Sequence, residues 1–266
     1  MIIHSLFTDG YYPWAELFLE SFKFYNGTNN LVILDAFDIS SHQEEKLKSI
    51  YSNLVLNNHS LDLETISEKL GLSKQNLLKY KKELETNNVN DKNKILKMVI
   101  AADLRVTTLR NMMHEWVLHP NTSPDTYITN FDVDLYVKNS LDELFNFIEA
   151  HDISIRLRLK SKPNRRTMIG IQGYKINEKS LNFLDNWLYQ LRLVHPVDRS
   201  LGFGQTSCYY SYEEYKDKVK WGDVPRKFLS PQMNQDDFIW SANTPEGKTA
   251  NLKKCRRDFE KCKEQF

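Results

Sequence analysis

The order of the first apolar segments constrains this chain most. Ile2 to Phe7 is a short apolar run that closes on Thr8-Asp9-Gly10, a turn signal. From Trp14, the residues Leu17, Phe18, Phe22 and Phe24 fall near helical spacing until Asn26-Gly27, and Leu31 to Phe37 is a second short apolar run. Strand, turn, helix and strand in immediate succession are how a parallel α/β sheet begins. With 266 residues the chain is long enough for one large α/β domain or two small ones.

Residues 58 to 94 break this rhythm. They are polar, rich in Lys and Glu and helical in pattern, with a stop and restart at Leu70-Gly71-Leu72-Ser73, so a helical insertion is expected there. A helix from Lys94 carries Ile95, Met98, Val99, Ala102, Val106 and Leu109 at helical spacing, and Pro120 and Pro124 bracket the loop after it. Tyr127 to Phe131 reads as a buried strand running into Asp132-Val133-Asp134. Next, Ser140-Leu141-Asp142-Glu143 predicts a capping box for a helix through Phe147 and Ile148. Ile153 to Leu159 alternates as a strand with one wet face, and Met168 to Ile171 is another short strand. Asn177 can cap a helix with Leu181, Leu184, Trp187 and Leu188 inward, Trp187 in the core and Tyr189 at the rim. From Leu201 the chain is rich in Gly, Tyr and Lys, with Phe238-Ile239-Trp240 as its compact apolar run.

Charge excludes some functions. Thirty-six Lys and Arg nearly balance 35 Asp and Glu, so no global field points to nucleic acid or an anionic membrane. The segment Glu64 to Leu78, continuing to Glu85, has the form of a DNA-binding helix-turn-helix, but its glutamates cancel much of its lysine charge, and the insertion reading is preferred. The basic run Arg156, Arg158, Lys160, Lys162, Arg165 and Arg166 reads first as a solvated strand face, with an acidic acceptor or phosphate site as the sharper alternative. No apolar run is long enough to span a bilayer, and Met1 to Phe7 lacks the parts of a signal peptide. Three cysteines make neither a disulfide framework nor a zinc set, and Cys255 and Cys262 read as reduced thiols on a C-terminal helix. The compartment expected is the cytoplasm. The histidines His4, His114, His119, His151 and His195 show no ligand spacing.

The triplet Asp132-Val133-Asp134 carries the chemistry. Two carboxylates one residue apart on an extended chain point to the same face, which suits a hard divalent cation bearing a phosphorylated ligand. Such a cation has a purpose where a reaction expels a diphosphate, whose charge Mg²⁺ or Mn²⁺ neutralises.

The order of parts resembles the glycosyltransferases of the GT-A fold. The residues that carry the resemblance are Ile2 to Tyr12, Leu19-Glu20-Ser21-Phe22, Ile128 to Asp134, Ile169-Gly170-Ile171 before Leu184 to Leu188, and Ile239-Trp240 running to Gly247-Lys248. The fold implied is α/β, a Rossmann-like mixed and mostly parallel sheet flanked by helices, in one domain. Its nucleotide-sugar half would run to about Val137, and its acceptor half from 138 to 266. The activity implied is transfer of a sugar from a nucleoside diphosphate sugar to a carbohydrate or other hydroxyl acceptor, with Mn²⁺ or Mg²⁺ as cofactor. In that scheme Asp134 is the main metal ligand, Asp132 shares the metal or touches the ribose, and Lys248 charges the diphosphate. Thr8, Asp9 and Tyr11 or Tyr12 sit where the first strand ends and would hold base and ribose. Asp103 and Arg105 become candidates for nucleotide contact.

Two departures from the family pattern stand out. An Asp-Gln pair is common in the acceptor lobe, where this chain has Gly204-Gln205, leaving Gln205 to bond a sugar hydroxyl. A His that often precedes the terminal Gly and Lys as third metal ligand is missing, leaving Asn243 or water. An inverting reaction needs a general base, for which Asp236 or Asp237 come first, with Asp198 behind them. A nucleotidyltransferase acting on a sugar phosphate is the alternative enzyme, although Thr8-Asp9-Gly10-Tyr11-Tyr12 is too bulky for its Gly-rich phosphate loop. A degenerate transferase fold serving as a binding module is the non-enzymatic alternative.

Overall fold

The computed structural model describes residues 1–60, 92–119, 123, 125–162, 165–194, 203–230, 237–241 and 248–265. The chain begins with β1 (Ile2–Thr8), a 3-10 turn (Asp9–Tyr11), α1 (Tyr12–Asn26), β2 (Leu31–Phe37), α2 (Ser41–Ile50) and β3 (Leu54–His59). The middle adds α3 (Lys92–Leu118), β4 (Tyr127–Asp132), β5 (Leu135–Val137), α4 (Asp142–Glu149), β6 (Ile153–Leu157) and β7 (Thr167–Lys175). The last part adds α5 (Glu178–Val194), α6 (Phe203–Tyr215), β8 (Trp221–Asp223), a 3-10 turn (Arg226–Phe228), β9 (Ile239–Ser241) and α7 (Lys248–Lys263).

Seven strands form one sheet in the order β3-β2-β1-β4-β7-β6-β8. Strands β3, β2, β1 and β4 run parallel, β7 runs antiparallel to both β4 and β6, and β8 is parallel to β6. The carboxyl ends of β1, β4, β6 and β8 therefore share one edge of the sheet. Ligands of open α/β sheets bind outside that edge.

Helices cover both faces, so the central strands need not alternate in polarity. On one face Ile3, Phe7, Val32 and Leu34 pack with Phe18 and Phe22 of α1 and Leu144 of α4. On the other, Ile2, Ile128 and Ile155 pack with Val106 and Leu109 of α3 and Leu184 and Trp187 of α5. A third cluster, Trp14, Leu17, Tyr136, Trp240, Cys255 and Phe259, fastens α7 to α1 and to the ribbon of β5 and β9. Gly27 ends α1 at φ 66°, a left-handed conformation that glycine adopts without Cβ strain.

Several expectations need correction. Residues 58 to 60 belong to the end of β3 and its exit, and 92 to 94 to α3, so the expected insertion shrinks to 61–91, which lie outside the described residues along with the helix-turn-helix pattern. The capping box at Ser140 does not form. Leu141 is drawn into the core with its N–H donating to Asn26 Oδ1 at 2.7 Å, so α4 starts at Asp142 and Glu143 pairs with Lys227 instead. Nor is Ser154 on a wet face, because side-chain-free Gly222 lets His151 close over it. Asn177 does cap α5, its Oδ1 accepting from Ser180 N at 2.9 Å, and Trp187 is buried while Tyr189 is exposed.

Candidate functional site

A cavity of about 230 Å³ opens at the carboxyl edge of the sheet. Leu6, Phe7, Thr8 and Tyr11 line it from β1 and the turn after it, Arg105 from α3, Asp132, Val133 and Asp134 from the end of β4, and Lys248 from α7. The strand itself ends at Asp132, so alternation along an extended chain is not what aligns the two carboxylates. Val133 is buried in the core, and the turn around it presents both neighbours to the same cavity. Immediately afterwards β5 is tied down, Val137 N donating to the buried Ser21 Oγ at 3.3 Å.

Each carboxylate faces a cation. Arg105 Nη2 lies 2.6 Å from Asp132 Oδ1, and Lys248 Nζ lies 2.8 Å from Asp134 Oδ2. Lys248 also donates to the Tyr11 hydroxyl and stands 4.1 Å from the centroid of its ring. Burial pushes the pKa of Asp132 up, and the charge of Asp134 adds to that, while Arg105 and Lys248 pull it back. For Lys248, burial works to lower the pKa, but the Asp134 charge and the hydrogen bonds to Asp134 and Tyr11 outweigh it and raise it. Arg105 keeps one buried guanidinium nitrogen, Nε, without a hydrogen-bond partner. Beyond Asp132 lies Gly170 of β7, where a Cβ would stand 3.4 Å from Asp132 Oδ2 and 3.1 Å from Leu229 Cδ2. Bare backbone thus borders the carboxylate on the side of β7.

Of the residues singled out in the sequence, Thr8, Tyr11, Arg105, Asp132, Asp134 and Lys248 meet in this cavity. The others do not line it. Asp9 is exposed in the 3-10 turn, and the Tyr12 hydroxyl donates to Glu16 Oε1 at 2.8 Å along α1. Asp103 is buried away from the cavity, accepting from Thr107 Oγ1 at 3.0 Å and facing Arg192 at 3.5 Å, with burial raising its pKa. Gln205 sits in the first turn of α6, where its carbonyl accepts from Thr167 Oγ1 at 2.7 Å. Asp237 is buried just before β9, its carbonyl accepting from Asn139 Nδ2 at 3.2 Å. Asp236, Asp198 and Asn243 lie outside the described residues.

Sequence reasoning named Arg105 but set it beside Asp103. The pairing of Arg105 with Asp132 joins α3 to β4 and has no local signal. Among the described residues no group of three His, Cys, Asp or Glu forms a metal cage. Two carboxylates on one cavity nonetheless fit Mg²⁺, which takes one or two protein carboxylates and completes its shell with water and substrate phosphates.

No protein-family model and no curated protein matches the chain. Solved structures do. The galactosyltransferase LgtC, in complex with donor and acceptor sugar analogues, superimposes with a TM-score of 0.50 at 10% identity, covering 96% of each chain. The apo structure of the bifunctional glycosyltransferase WbbM gives 0.50 at 13% identity over 97% of this chain and 44% of that one. Apo mouse xyloside xylosyltransferase 1 gives 0.48 at 13% identity over 91% of this chain and 98% of its own. The fold of the chain is the GT-A type, a mixed and mostly parallel sheet flanked by helices.

Proposed function

We propose that the protein is a glycosyltransferase that moves a sugar from a nucleoside diphosphate sugar to a hydroxyl acceptor. The observation that carries this reading is the single cavity joining Thr8 and Tyr11, Asp132 and Asp134, and Lys248 at the carboxyl edge of a GT-A type sheet. Tyr11 offers a ring face to the base, and Thr8 a hydroxyl to the ribose. Lys248 is a point charge on a flexible stem, able to turn from Asp134 to the diphosphate. Arg105 lines the cavity and holds Asp132 in place.

Asp132 and Asp134, with Asn243 or water, would hold Mn²⁺ or Mg²⁺. When bound, such an ion neutralises charge building on the leaving diphosphate. The acceptor oxygen bonds to the anomeric carbon as the bond from that carbon to the diphosphate oxygen breaks, and the diphosphate leaves with the electron pair. If configuration inverts, the hydroxyl proton passes to a carboxylate, with Asp237 or Asp236 proposed for that role; if it is retained, the proton passes to the departing diphosphate. Three free thiols suit a reducing cytoplasm, and among the described residues no helix is long and apolar enough to cross a membrane.

Thermal unfolding followed during titration with nucleoside diphosphates, with and without Mn²⁺, tests the reading. One of them is expected to stabilise the fold by about 2.7 kcal/mol at a hundredfold excess over its Kd. Asp134→Asn and Lys248→Ala should each weaken that binding by about tenfold, the loss of one charge-assisted contact. If no nucleoside diphosphate shifts the transition in either condition, the transferase reading fails.

A further inference from the structure

A second cluster of charge lies on the same sheet edge, on the other side of Asp132. Because β6 runs parallel to β4, with β7 between them, Arg156 near its carboxyl end and Arg158 just past it emerge on the same edge as the end of β4, one strand removed. Strand β8 is parallel to β6 in turn, and the chain leaving its carboxyl end carries Arg226. Arg156 is half-buried and donates through Nη1 to the Leu229 carbonyl. The Leu229 side chain occupies the ground beside Gly170, and Gly170 borders Asp132 Oδ2. One residue therefore separates the Arg156 guanidinium from the strip of bare backbone next to the acidic pair.

The charge there is unbalanced. Residues 153–168 hold six Lys and Arg and no Asp or Glu. Arg166 has a structural task, donating to the Ser161 carbonyl at 2.9 Å and to the Tyr209 hydroxyl at 2.5 Å, which clips the turn between β6 and β7. Arg156 has its bond to the Leu229 carbonyl, and Arg158 Nη1 lies 3.7 Å from Met168 Sδ. Among the described residues none of the three makes an ion pair, whereas Arg105, Arg110, Arg192 and Arg256 all do. Asp223, the carboxylate nearby, accepts from Leu157 N at 2.7 Å. Burial and the like charges of Arg158 and Arg226 lower the pKa of Arg156 more than the charge of Asp223 raises it, a crowding that a bound anion would relieve.

We infer that the acceptor carries a phosphate group, held by Arg156, Arg158 and Arg226 while its hydroxyl lies along Gly170 beside Asp132. Arg158 and Arg226 are exposed and free to turn onto an anion, while half-buried Arg156 is fixed on a backbone carbonyl. Guanidinium forks match phosphate oxygens, and a group carrying close to two negative charges suits a cluster of three cations. The inference rests on the glycosyl-transfer reading, since it assigns the second substrate of that same site.

The test uses the full chain and inorganic phosphate as probe, with binding followed by calorimetry in the presence of the nucleoside diphosphate that stabilises the fold. Phosphate should bind, and more weakly as salt is raised. Arg158→Gln combined with Arg226→Gln should cut its affinity by about tenfold or more while the nucleotide affinity stays unchanged. Arg156→Gln should act likewise, but it also frees the Leu229 carbonyl, so the double variant is the cleaner measurement. Nucleotide binding without phosphate binding, or phosphate binding equal in wild type and double variant, overturns the inference and leaves the transferase reading standing. Failure of the nucleotide itself removes both. Vesicles of phosphatidylglycerol, set against phosphatidylcholine, locate the source of the phosphate. Arginine-dependent binding to the anionic vesicles supports a lipid-borne phosphate, and binding of free phosphate without vesicle binding supports a soluble one.

Discussion

At the scale of single residues, the clearest feature outside the cavity is a row of polar groups threaded through the buried sheet. His4 is fully buried on β1, its Nδ1 2.8 Å from Asn130 Oδ1 on β4 and its Nε2 2.9 Å from Asp35 Oδ2 on β2. His59 Nε2 and Asn57 Nδ2 of β3 reach Asp35 Oδ1 at 2.9 and 3.2 Å. Burial alone would raise the pKa of Asp35, but the hydrogen bonds from His4 and His59 hold it well below the usual carboxylate range. A depressed folded pKa means that this stability is present above the unfolded value of about 3.9 and is lost as pH falls through the folded one. Asp35→Asn should therefore cost on the order of 3 kcal/mol at neutral pH, in the manner of a broken buried ion pair. The gap to wild type should narrow as the pH drops below about 4, where the carboxylate begins to take up its proton in the unfolded chain while the folded one stays ionised. Urea unfolding of both proteins at neutral and acid pH measures this; a gap of equal size at both would show that Asp35 stabilises by shape rather than charge.

At the scale of elements, a helix packs directly on the backbone of the sheet at Gly173 of β7. A Cβ there would stand 2.5 Å from Cγ2 and 2.7 Å from Cγ1 of Ile148 on α4. Gly173→Ala is expected to destabilise the fold by about 1 to 3 kcal/mol through overpacking, and pairing it with Ile148→Ala, which removes both γ carbons, should cost less than the sum of the two single changes. Additive costs in the double variant would place the strain elsewhere. Such a contact lies beyond sequence reading, which sees periodicity within a segment and not the neighbour across it. β1, α1, β2 and β4 were legible because their apolar residues face a core on one or both sides. α2 was not, since Leu47 is its only buried residue. β3 was not either, as an edge strand whose second half is Asn57-Asn58-His59. The inward side of α6 includes Gly204, Thr206, Ser207, Cys208 and Ser211, small or polar residues that leave no hydrophobic period to find. In the cavity Arg105 and Lys248 were named from the sequence as well as the residues at strand ends. Their pairing with Asp132 and Asp134 is a long-range fact of the fold.

At the scale of the whole molecule, the cavity depends on parts far apart in the chain. The two expected halves share one sheet, joined where β4 pairs with β7 from Tyr127↔Lys175 to Phe131↔Ile171. Lys248 belongs to neither half's strands. It is the first residue of α7, whose position is set by Cys255 and Phe259 packing against Trp14, Leu17, Tyr136 and Trp240. Phe259 is buried, with ring centroids 5.6 Å from Phe24 and 6.2 Å from Tyr136, both near edge-on. It lies eleven residues along the helix from Lys248, roughly 16 Å at the rise of an α-helix, so it cannot touch a ligand bound there. Phe259→Ala should cost about 3 to 5 kcal/mol in stability. Because the lost contact anchors α7, the variant should also bind nucleoside diphosphate more weakly at temperatures where it remains folded, approaching the affinity of Lys248→Ala. Urea unfolding and calorimetric titration together measure the two effects. Stability lost with affinity intact would mean that the first turn of α7 is held by the site itself rather than by the aromatic cluster behind it.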